Sequence, residues 1–492
     1  MFKKYIAILL IAILFSSNVL NAEADYTPSY RGYTHDGSGN VVSSPNGYKP
    51  ETVINGNQIG CGNLKNPEDL FIADNGDIYI LDSGNARIVI TDKDLKLKKI
   101  IDEIKVNGTS QKMKEPMSIY INRSNEILIA DKGNARVILI DQDGNMKKEM
   151  LRPETALIPE TVTFEPIKAL EDDKDNIYVI SRNIYQGIIL YNSSGKFNGF
   201  YGNNKVKGSV SAVANYILKK FLTKKQKELS ARYVPTEIKS IDINNEGYIY
   251  TVAFYSQTED IIKRLNPKGI NTFKMETANS DDSQTVLTSD IILSKFADIS
   301  IDDDGHIFTL DTESGKIFEF DPYGNKLLVF GGLGLQAGLF RIPSALDVHE
   351  GKAYVLDRAK GNLTVFSTTS FGEIVHRAIK LYNEGLYEEA IDPWNDVLKR
   401  NANYNLAYIG LGKAYMNLGE YKTAMEYFKQ GNSKDGYDEA FQKYRVEVVR
   451  KHFGRIATIT AILLLLLWIV NKKKITFKKM INQIFKGRSM SV

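Results

Sequence analysis

Short apolar runs separated by polar turns recur along most of the chain. The stretch 66–101 contains three such runs, and the same order of runs and turns returns 49 residues later. The runs lie at 70–72, 78–81 and 88–90 in the first copy, and at 119–121, 127–130 and 137–140 in the second. Short β-rich runs between turn residues, repeated every 40 to 50 residues or so, are typical of propeller blades. The pattern therefore predicts a β-propeller.

The tight turn between the second and third runs has nearly the same sequence in both copies. It reads D-S-G-N-A-R from residue 82 and D-K-G-N-A-R from residue 131. With the stretches 78–88, 127–137 and 330–343, these turns make the chain resemble the NHL-repeat β-propellers. The resemblance implies mainly structural roles, and turn chemistry agrees, because Asp and Asn cap turns and Arg offers a planar fork to a carboxylate. The residues concerned are Asp82, Asn85, Arg87, Asp131, Asn134 and Arg136.

The blade pattern extends over residues 50–370 and predicts a mainly β fold with six blades. Blades are expected near 66–101, 115–150, 165–201, 236–275 and 296–331, with the sixth beginning at Pro343. The sixth blade has only three β-rich runs. We expect the run at 51–56 to supply its outer strand and close the ring, which removes exposed sheet edges.

An insert at 208–233, between blades three and four, has helical rather than β spacing. Val213, Ile217 and Phe221 fall on one helical face, with lysines elsewhere. Such an insert either binds a partner or covers an edge of the ring, and both alternatives require an amphipathic helix.

Residues 371–453 change to the spacing of paired helices. Gly385, Tyr387 and Ala390 recur after 34 residues. With the stretches 383–394 and 411–428, this spacing resembles tetratricopeptide repeats, which implies a surface for protein partners. A helix at 438–452, with Ala440, Phe441, Tyr444 and Val448 at helical spacing, is expected to cap the array.

Both ends of the chain carry membrane signals. Residues 1–24 have the features of a signal peptide, and 25–49 are expected to form a flexible leader. Residues 454–471 contain a charge-free apolar run and are predicted to span a membrane, with a buried core helix as the alternative. The lysine-rich tail 472–492 would then be cytoplasmic, with the propeller and the helical repeats outside the cell.

The charge of the exported body argues against a nucleic-acid partner. The chain as a whole carries 63 basic and 59 acidic residues. Without residues 1–24 and those from 455 on, 53 basic and 58 acidic residues remain. An acidic body does not attract a phosphate backbone. The expected partner is a protein in or at the membrane, and the oligomeric state stays open.

The sequence gives no catalytic motif and predicts no metal ligands. A single cysteine excludes a cysteine-built metal site. Five histidines are spread over the leader, the outer turns of two blades and the helical segment, and we expect them not to converge. They are His35, His306, His349, His376 and His452.

One constellation remains as a candidate ligand site at a mouth of the central channel. Aligning the inner strands on their turn glycines gives a ring of mostly polar positions, for which a hydrated channel is the alternative. These positions are Asp69, Ser118, Lys168, Ser240, Asp298 and Ala345. No cofactor is predicted, and calcium held by the ring carboxylates is the alternative.

These features predict a membrane-anchored binding or scaffold protein, accessory to an envelope assembly such as a transporter. The two family resemblances carry this expectation, since both families recognise partners. The alternative is an enzyme, because related propellers include lyases and lactonases with a metal at the channel mouth. Only Asp69 and Asp298 could hold such a metal here.

Overall fold

The computed structural model describes residues 28–36, 39–202, 237–253, 261–273, 291 and 294–487, with side chains to 483. The predicted signal peptide and the insert 208–233 lie outside the described residues.

The leader is partly structured, which corrects the expectation of a flexible segment at 25–49. Strands β1 (Tyr33–His35) and β2 (Val41–Ser43) form an antiparallel hairpin. The ammonium group of Lys316 lies 4.5 Å from the centre of the Tyr33 ring, which ties the hairpin to blade five. Cation–π and backbone contacts of this kind hold a short segment that has little core of its own.

Strand β3 (Tyr48–Asn55) comes next, and a short helical turn, Gly56–Ile59, leads from it into the blades. Blade one contains β4 (Asp69–Ile72), β5 (Ile78–Asp82), β6 (Arg87–Thr91) and β7 (Leu97–Ile101). A hairpin of β8 (Ile104–Val106) and β9 (Thr109–Gln111) connects blade one to blade two. Blade two contains β10 (Pro116–Ile121), β11 (Ile127–Asp131), β12 (Arg136–Ile140) and β13 (Met146–Met150). Blade three contains β14 (Glu165–Glu171), β15 (Ile177–Arg182), β16 (Ile188–Tyr191) and β17 (Phe197–Tyr201).

The described part of blade four has three strands, β18 (Ile238–Ile243), β19 (Ile249–Ala253) and β20 (Ile262–Leu265). Blade five contains β21 (Phe296–Ile301), β22 (Ile307–Asp311), β23 (Lys316–Phe320) and β24 (Lys326–Gly331). Blade six contains β25 (Pro343–His349), β26 (Lys352–Asp357) and β27 (Asn362–Thr368). The six blades predicted from the sequence are confirmed.

The ring is closed by a strand from the beginning of the body, as the sequence predicts. Strand β3 runs antiparallel to β27, with Ile54 opposite Leu363 and Val53 opposite Thr364. It is the outer strand of blade six. Because β3 pairs with β27, the edge of β27 is not left open, and the first described strand of the body is joined to the last.

Blades stack face to face, so the middle strands are buried on both sides. Ile78, Ile80 and Leu81 of β5 are all fully buried, although neighbours along a strand point to opposite faces. This explains why the β-rich runs are continuously apolar instead of alternating between apolar and polar residues.

Between the propeller and residue 487, the structure contains five helices. They are α1 (Ser370–Asn383), α2 (Tyr387–Arg400), α3 (Asn405–Asn417), α4 (Tyr421–Gln430) and α5 (Lys434–Gly487). Gly385 and Gly419 have positive φ angles of 79° and 81° in the turns that precede α2 and α4, a conformation that glycine adopts without strain. The equivalent Ala390 and Ala424 are fully buried. The segment is helical as predicted, while its identification as tetratricopeptide repeats stays an interpretation.

The propeller and the first helices share one hydrophobic core. Phe330 and Phe366 of blades five and six belong to the same buried cluster as Phe371, Val375 and Trp394 of α1 and α2. A continuous apolar core of this kind holds the two segments as one body.

Helix α5 is uninterrupted from the repeats through Gly454 and the apolar run. Its first part differs from the expected cap, since Ala440 is buried but Phe441 and Val448 are exposed. Among the described residues, one helix, Lys434–Gln483, is long and apolar enough to cross a membrane.

Candidate functional site

Four of the predicted ring residues form one connected cluster, in which Lys168 pairs with Asp69 and Asp298. The Nζ of Lys168 lies 2.9 Å from Oδ1 of Asp69 and 3.4 Å from Oδ1 of Asp298. The Ser240 hydroxyl donates a hydrogen bond of 2.6 Å to Asp298 Oδ1. Within the described part of the chain, no hydrogen bond joins Ser118 or Ala345 to this cluster. The inner strands of blades one, three and five therefore bring two carboxylates and one ammonium group into contact.

Three of the predicted ring positions also join neighbouring blades through backbone N–H groups. Asp69 of blade one accepts a hydrogen bond of 3.0 Å from the backbone N–H of Ile119 in blade two. The Ser118 hydroxyl accepts one of 3.1 Å from Ala169 N–H in blade three. Asp298 of blade five accepts one of 2.9 Å from Leu346 N–H in blade six. These hydrogen bonds satisfy backbone N–H groups of the neighbouring blade. The side-chain oxygens that accept them are therefore already used by the fold itself.

A second layer of acidic residues, which the sequence interpretation missed, lies two positions further along the inner strands. Asp242 of blade four accepts a hydrogen bond of 2.8 Å from Ile301 N–H, and Asp347 of blade six accepts one of 2.7 Å from Ile72 N–H. The signal was available in the sequence. Residues two apart on a strand share a face, and each aspartate interrupts an otherwise apolar run.

Burial dominates the electrostatics of both layers. It raises the pKa of Asp242 to about 7, assisted by the nearby charge of Asp347, and it raises the pKa of Asp347 to about 6 against the effect of its hydrogen-bond donors. Burial also raises the pKa of Asp69, which Lys168 opposes. For Lys168, burial favours loss of the proton, but the charges of Asp298 and Asp69 outweigh it and raise the pKa. Lys168 therefore keeps its proton, whereas burial opposes ionisation of Asp69, Asp242 and Asp347.

Replacing Asp347 with asparagine should reduce the dependence of stability on pH. A carboxyl whose folded pKa is raised stabilises the protein below its unfolded pKa of about 4, and this contribution is lost as pH rises through the folded value near 6. Between pH 4 and 7, the wild-type free energy of unfolding should therefore lose about 2 kcal/mol more than that of Asp347→Asn. Denaturant unfolding of the full chain in detergent at several pH values measures this difference. The exposed Asp94→Asn serves as the control, and parallel curves for wild type and Asp347→Asn would contradict the prediction.

The turn motifs use their polar groups within their own blades. The buried Asp82 carboxylate accepts hydrogen bonds from Lys65 N–H at 2.7 Å, Asn85 Nδ2 at 2.8 Å and Arg87 Nε at 2.7 Å. Asp131 accepts the equivalent three from Lys114 N–H at 2.8 Å, Asn134 Nδ2 at 2.7 Å and Arg136 Nε at 2.9 Å. These bonds fix the turn against the connection that enters the same blade.

Two histidines do converge, contrary to the expectation from the sequence. The rings of His306 and His376 lie 5.3 Å apart between centroids, and Glu319 contributes a carboxylate within reach of both. His306 precedes β22 of blade five, whereas His376 belongs to α1. The sequence could not show this meeting, because it depends on how the helices dock on the propeller.

No protein-family model matches the sequence, and no curated protein matches it. Among solved structures, virginiamycin B lyase from Staphylococcus aureus is 13% identical, covers 65% of this chain and 99% of its own, and has a TM-score of 0.40. A gluconolactonase from Xanthomonas campestris is 9% identical, covers 70% and 97%, and has a TM-score of 0.42. A protein of unknown function from Bacteroides thetaiotaomicron is also 9% identical, covers 69% and 76%, and has a TM-score of 0.42. These likenesses are too distant to support an argument about site or activity.

Proposed function

We propose that this protein is a membrane-anchored binding or scaffold protein, which presents one face of its propeller to a protein partner of the cell envelope. The observation that carries the proposal is the division of the two propeller faces. The helical segment covers part of one face and continues into the apolar helix, whereas the other face exposes apolar loops.

The division follows from the strand order within the blades. The strands within a blade alternate in direction. The outer strand of one blade therefore ends at the same face of the propeller at which the inner strand of the next blade starts, whereas the third strand of a blade ends at the opposite face. Helix α1 follows β27, the third strand of blade six, and its Lys380 pairs with Asp304 in the turn between the first two strands of blade five, at 2.9 Å. We call the other face, formed by the connections between blades, the open face.

The open face exposes large apolar side chains in two of its connections. Leu333, Leu335 and Ile342 lie between blades five and six, and Leu335 is 78% exposed. Leu151 and Leu157, between blades two and three, are each more than half exposed. Apolar side chains grouped on one face favour contact with an apolar surface of another protein.

The apolar part of α5 supports anchoring in a membrane. From Ile462 to Trp468, every side chain is about half exposed or more, so the helix is apolar all round and finds no cover in the described protein. The ammonium group of Lys472 lies 4.8 Å from the Trp468 ring centre, an aromatic and basic pair suited to a membrane interface. We infer that the lysine-rich end lies in the cytoplasm and that the propeller lies outside the cell.

The enzyme alternative receives less support from the channel mouth. Of the predicted ring residues, Asp69 and Asp298 could hold a catalytic metal there, but they already share the ammonium group of Lys168. That ammonium group supplies the positive charge that a metal would bring.

Truncation before residue 455 tests the anchor. We expect the truncated chain to move from the membrane fraction to the soluble exported fraction, because the exposed apolar surface is removed with the helix. Fractionation followed by immunoblotting measures the change. A truncated chain that stayed with the membrane would show that the anchor lies elsewhere.

Photo-crosslinking from the open face tests the binding role. A photoreactive amino acid at Leu335 or Leu157 should give discrete adducts with an envelope protein in intact cells, identified by mass spectrometry. The control position is Val41, which is 63% exposed but belongs to the leader hairpin. The same adducts at Val41, or none at either open-face position, would contradict the proposed binding face.

A further inference from the structure

Three potential metal ligands meet where the helical segment docks on the propeller. Glu319 lies on β23, opposite Phe308 of β22. His306 comes just before β22, and His376 reaches the same place from α1. One ligand atom from each side chain lies within 4.8 Å of the other two. We call this group the junction site.

The ligand atoms of the junction site lie close enough together to share one small ion. His376 Nε2 lies 2.7 Å from Glu319 Oε1, and His306 Nδ1 lies 3.8 Å from the same oxygen. Nitrogen and oxygen ligands about 2.0 to 2.2 Å from a tetrahedral zinc ion stand roughly 3.4 Å from one another. Small side-chain adjustments would therefore suffice to place all three around one ion.

The carboxylate of Glu319 is buried beside the two histidines. Its side chain has 0% exposure, and its Oε1 faces His376 Nε2 and His306 Nδ1. A buried carboxylate requires a compensating charge, which a cation bound between these atoms would supply.

A further carboxylate, that of Asp302, fixes the position of His306. Asp302 Oδ2 lies 3.0 Å from His306 Nδ1, the nitrogen that also faces Glu319, and Asp302 Oδ1 accepts a hydrogen bond of 2.7 Å from His306 N–H. Carboxylates beside a metal-binding histidine commonly orient the imidazole ring in this way.

We propose that His306, Glu319 and His376 bind a divalent transition-metal ion, with zinc as the best match, and that the ion clamps α1 to blade five. Two imidazoles and one carboxylate form a three-ligand set for zinc that leaves a fourth position for water. The His376 side chain is 22% exposed, so an ion can enter from its edge. This role does not depend on the proposed binding function or on the channel mouth.

Zinc binding by the full chain in detergent tests the proposal. After treatment with a chelator and exchange into defined zinc, the wild type should hold one zinc ion per chain and show a higher melting temperature than the metal-free protein. Cobalt(II) provides a second readout on the same wild-type chain, since its visible absorption reports nitrogen and oxygen coordination directly. We expect His376→Ala to weaken zinc binding at least about tenfold and to abolish the rise in melting temperature.

His349→Ala is the matched control, because His349 occupies the corresponding turn of blade six and is only partly buried. It should bind zinc as the wild type does. Glu319→Gln keeps the shape of the side chain, and its loss of zinc would confirm the carboxylate as a ligand. If Glu319→Gln does not fold, zinc binding by the wild type, His376→Ala and His349→Ala still tests the proposal. Wild-type protein that bound neither zinc nor cobalt, or His376→Ala that bound zinc as tightly as the wild type, would overturn the proposal.

Discussion

Deletion of residues 50–56 should abolish the cooperative unfolding transition of the whole ring. The deletion removes most of β3, including Val53 and Ile54, which pair with Thr364 and Leu363 of β27. The remaining wheel would have an open edge on blade six and would lose apolar contacts with its neighbours. Such a loss exceeds about 5 kcal/mol and is comparable with the stability of a typical domain. Near-ultraviolet circular dichroism and limited proteolysis of the full chain in detergent measure the effect.

The matched control removes the leader hairpin but keeps β3. A chain that starts at residue 45 after its signal peptide loses β1 and β2 and retains every pair between β3 and β27. We expect this control to keep a cooperative transition at a slightly lower temperature. An unchanged transition after deletion of 50–56 would show that the ring does not depend on this closure.

Substitution of Lys168 by methionine should destabilise the protein by about 3 to 5 kcal/mol. The substitution keeps the length of the side chain but removes the ammonium group that lies 2.9 Å from Asp69 and 3.4 Å from Asp298. Both carboxylates are buried, so each would remain without its ion partner in a medium that disfavours charge. Denaturant unfolding at pH 8 measures the loss, because the carboxylates have the strongest tendency to ionise at high pH.

Two further variants separate the ion pair from general effects of losing a lysine. Lys174 lies in the same blade but on the surface, so Lys174→Met should change the free energy of unfolding by less than about 0.5 kcal/mol. The double variant Asp69→Asn with Lys168→Met should recover part of the loss, because it removes one of the two unpaired charges. Equal destabilisation by Lys168→Met and Lys174→Met would contradict the central role of this lysine in the channel.

Local chemistry made much of the fold predictable from the sequence. The repeated turn at Asp82 and Asp131 identifies blades one and two. The hydrogen bonds of each aspartate are made within one blade, so the signal stays in a short stretch of sequence. The closing strand was predictable for a related reason, since a sixth blade with three strands needs a fourth. Gly385 and Gly419 identified the helical turns through the backbone conformation that they adopt.

The parts that were missed depend on contacts between segments far apart in the chain. The junction site joins β23 to α1, and nothing near His376 in the sequence indicates that it will face His306. The partly ordered leader depends in the same way on blade five. At the channel mouth, the ring positions could be aligned from the sequence, but the use of their oxygens by the next blade's N–H groups became visible only in three dimensions.

The unbroken α5 gives the repeats and the apolar run a common rotational register. A helix turns by roughly 100° and advances about 1.5 Å with each residue. Ala440 is buried against the repeats, and Ile462 belongs to the apolar run. One residue inserted between them would rotate the propeller about the helix axis by more than about 90° relative to the apolar run. An insertion of seven residues would restore nearly the original heading while moving the two parts roughly 10 Å apart. The direction in which the open face points is therefore set by the number of residues in this helix.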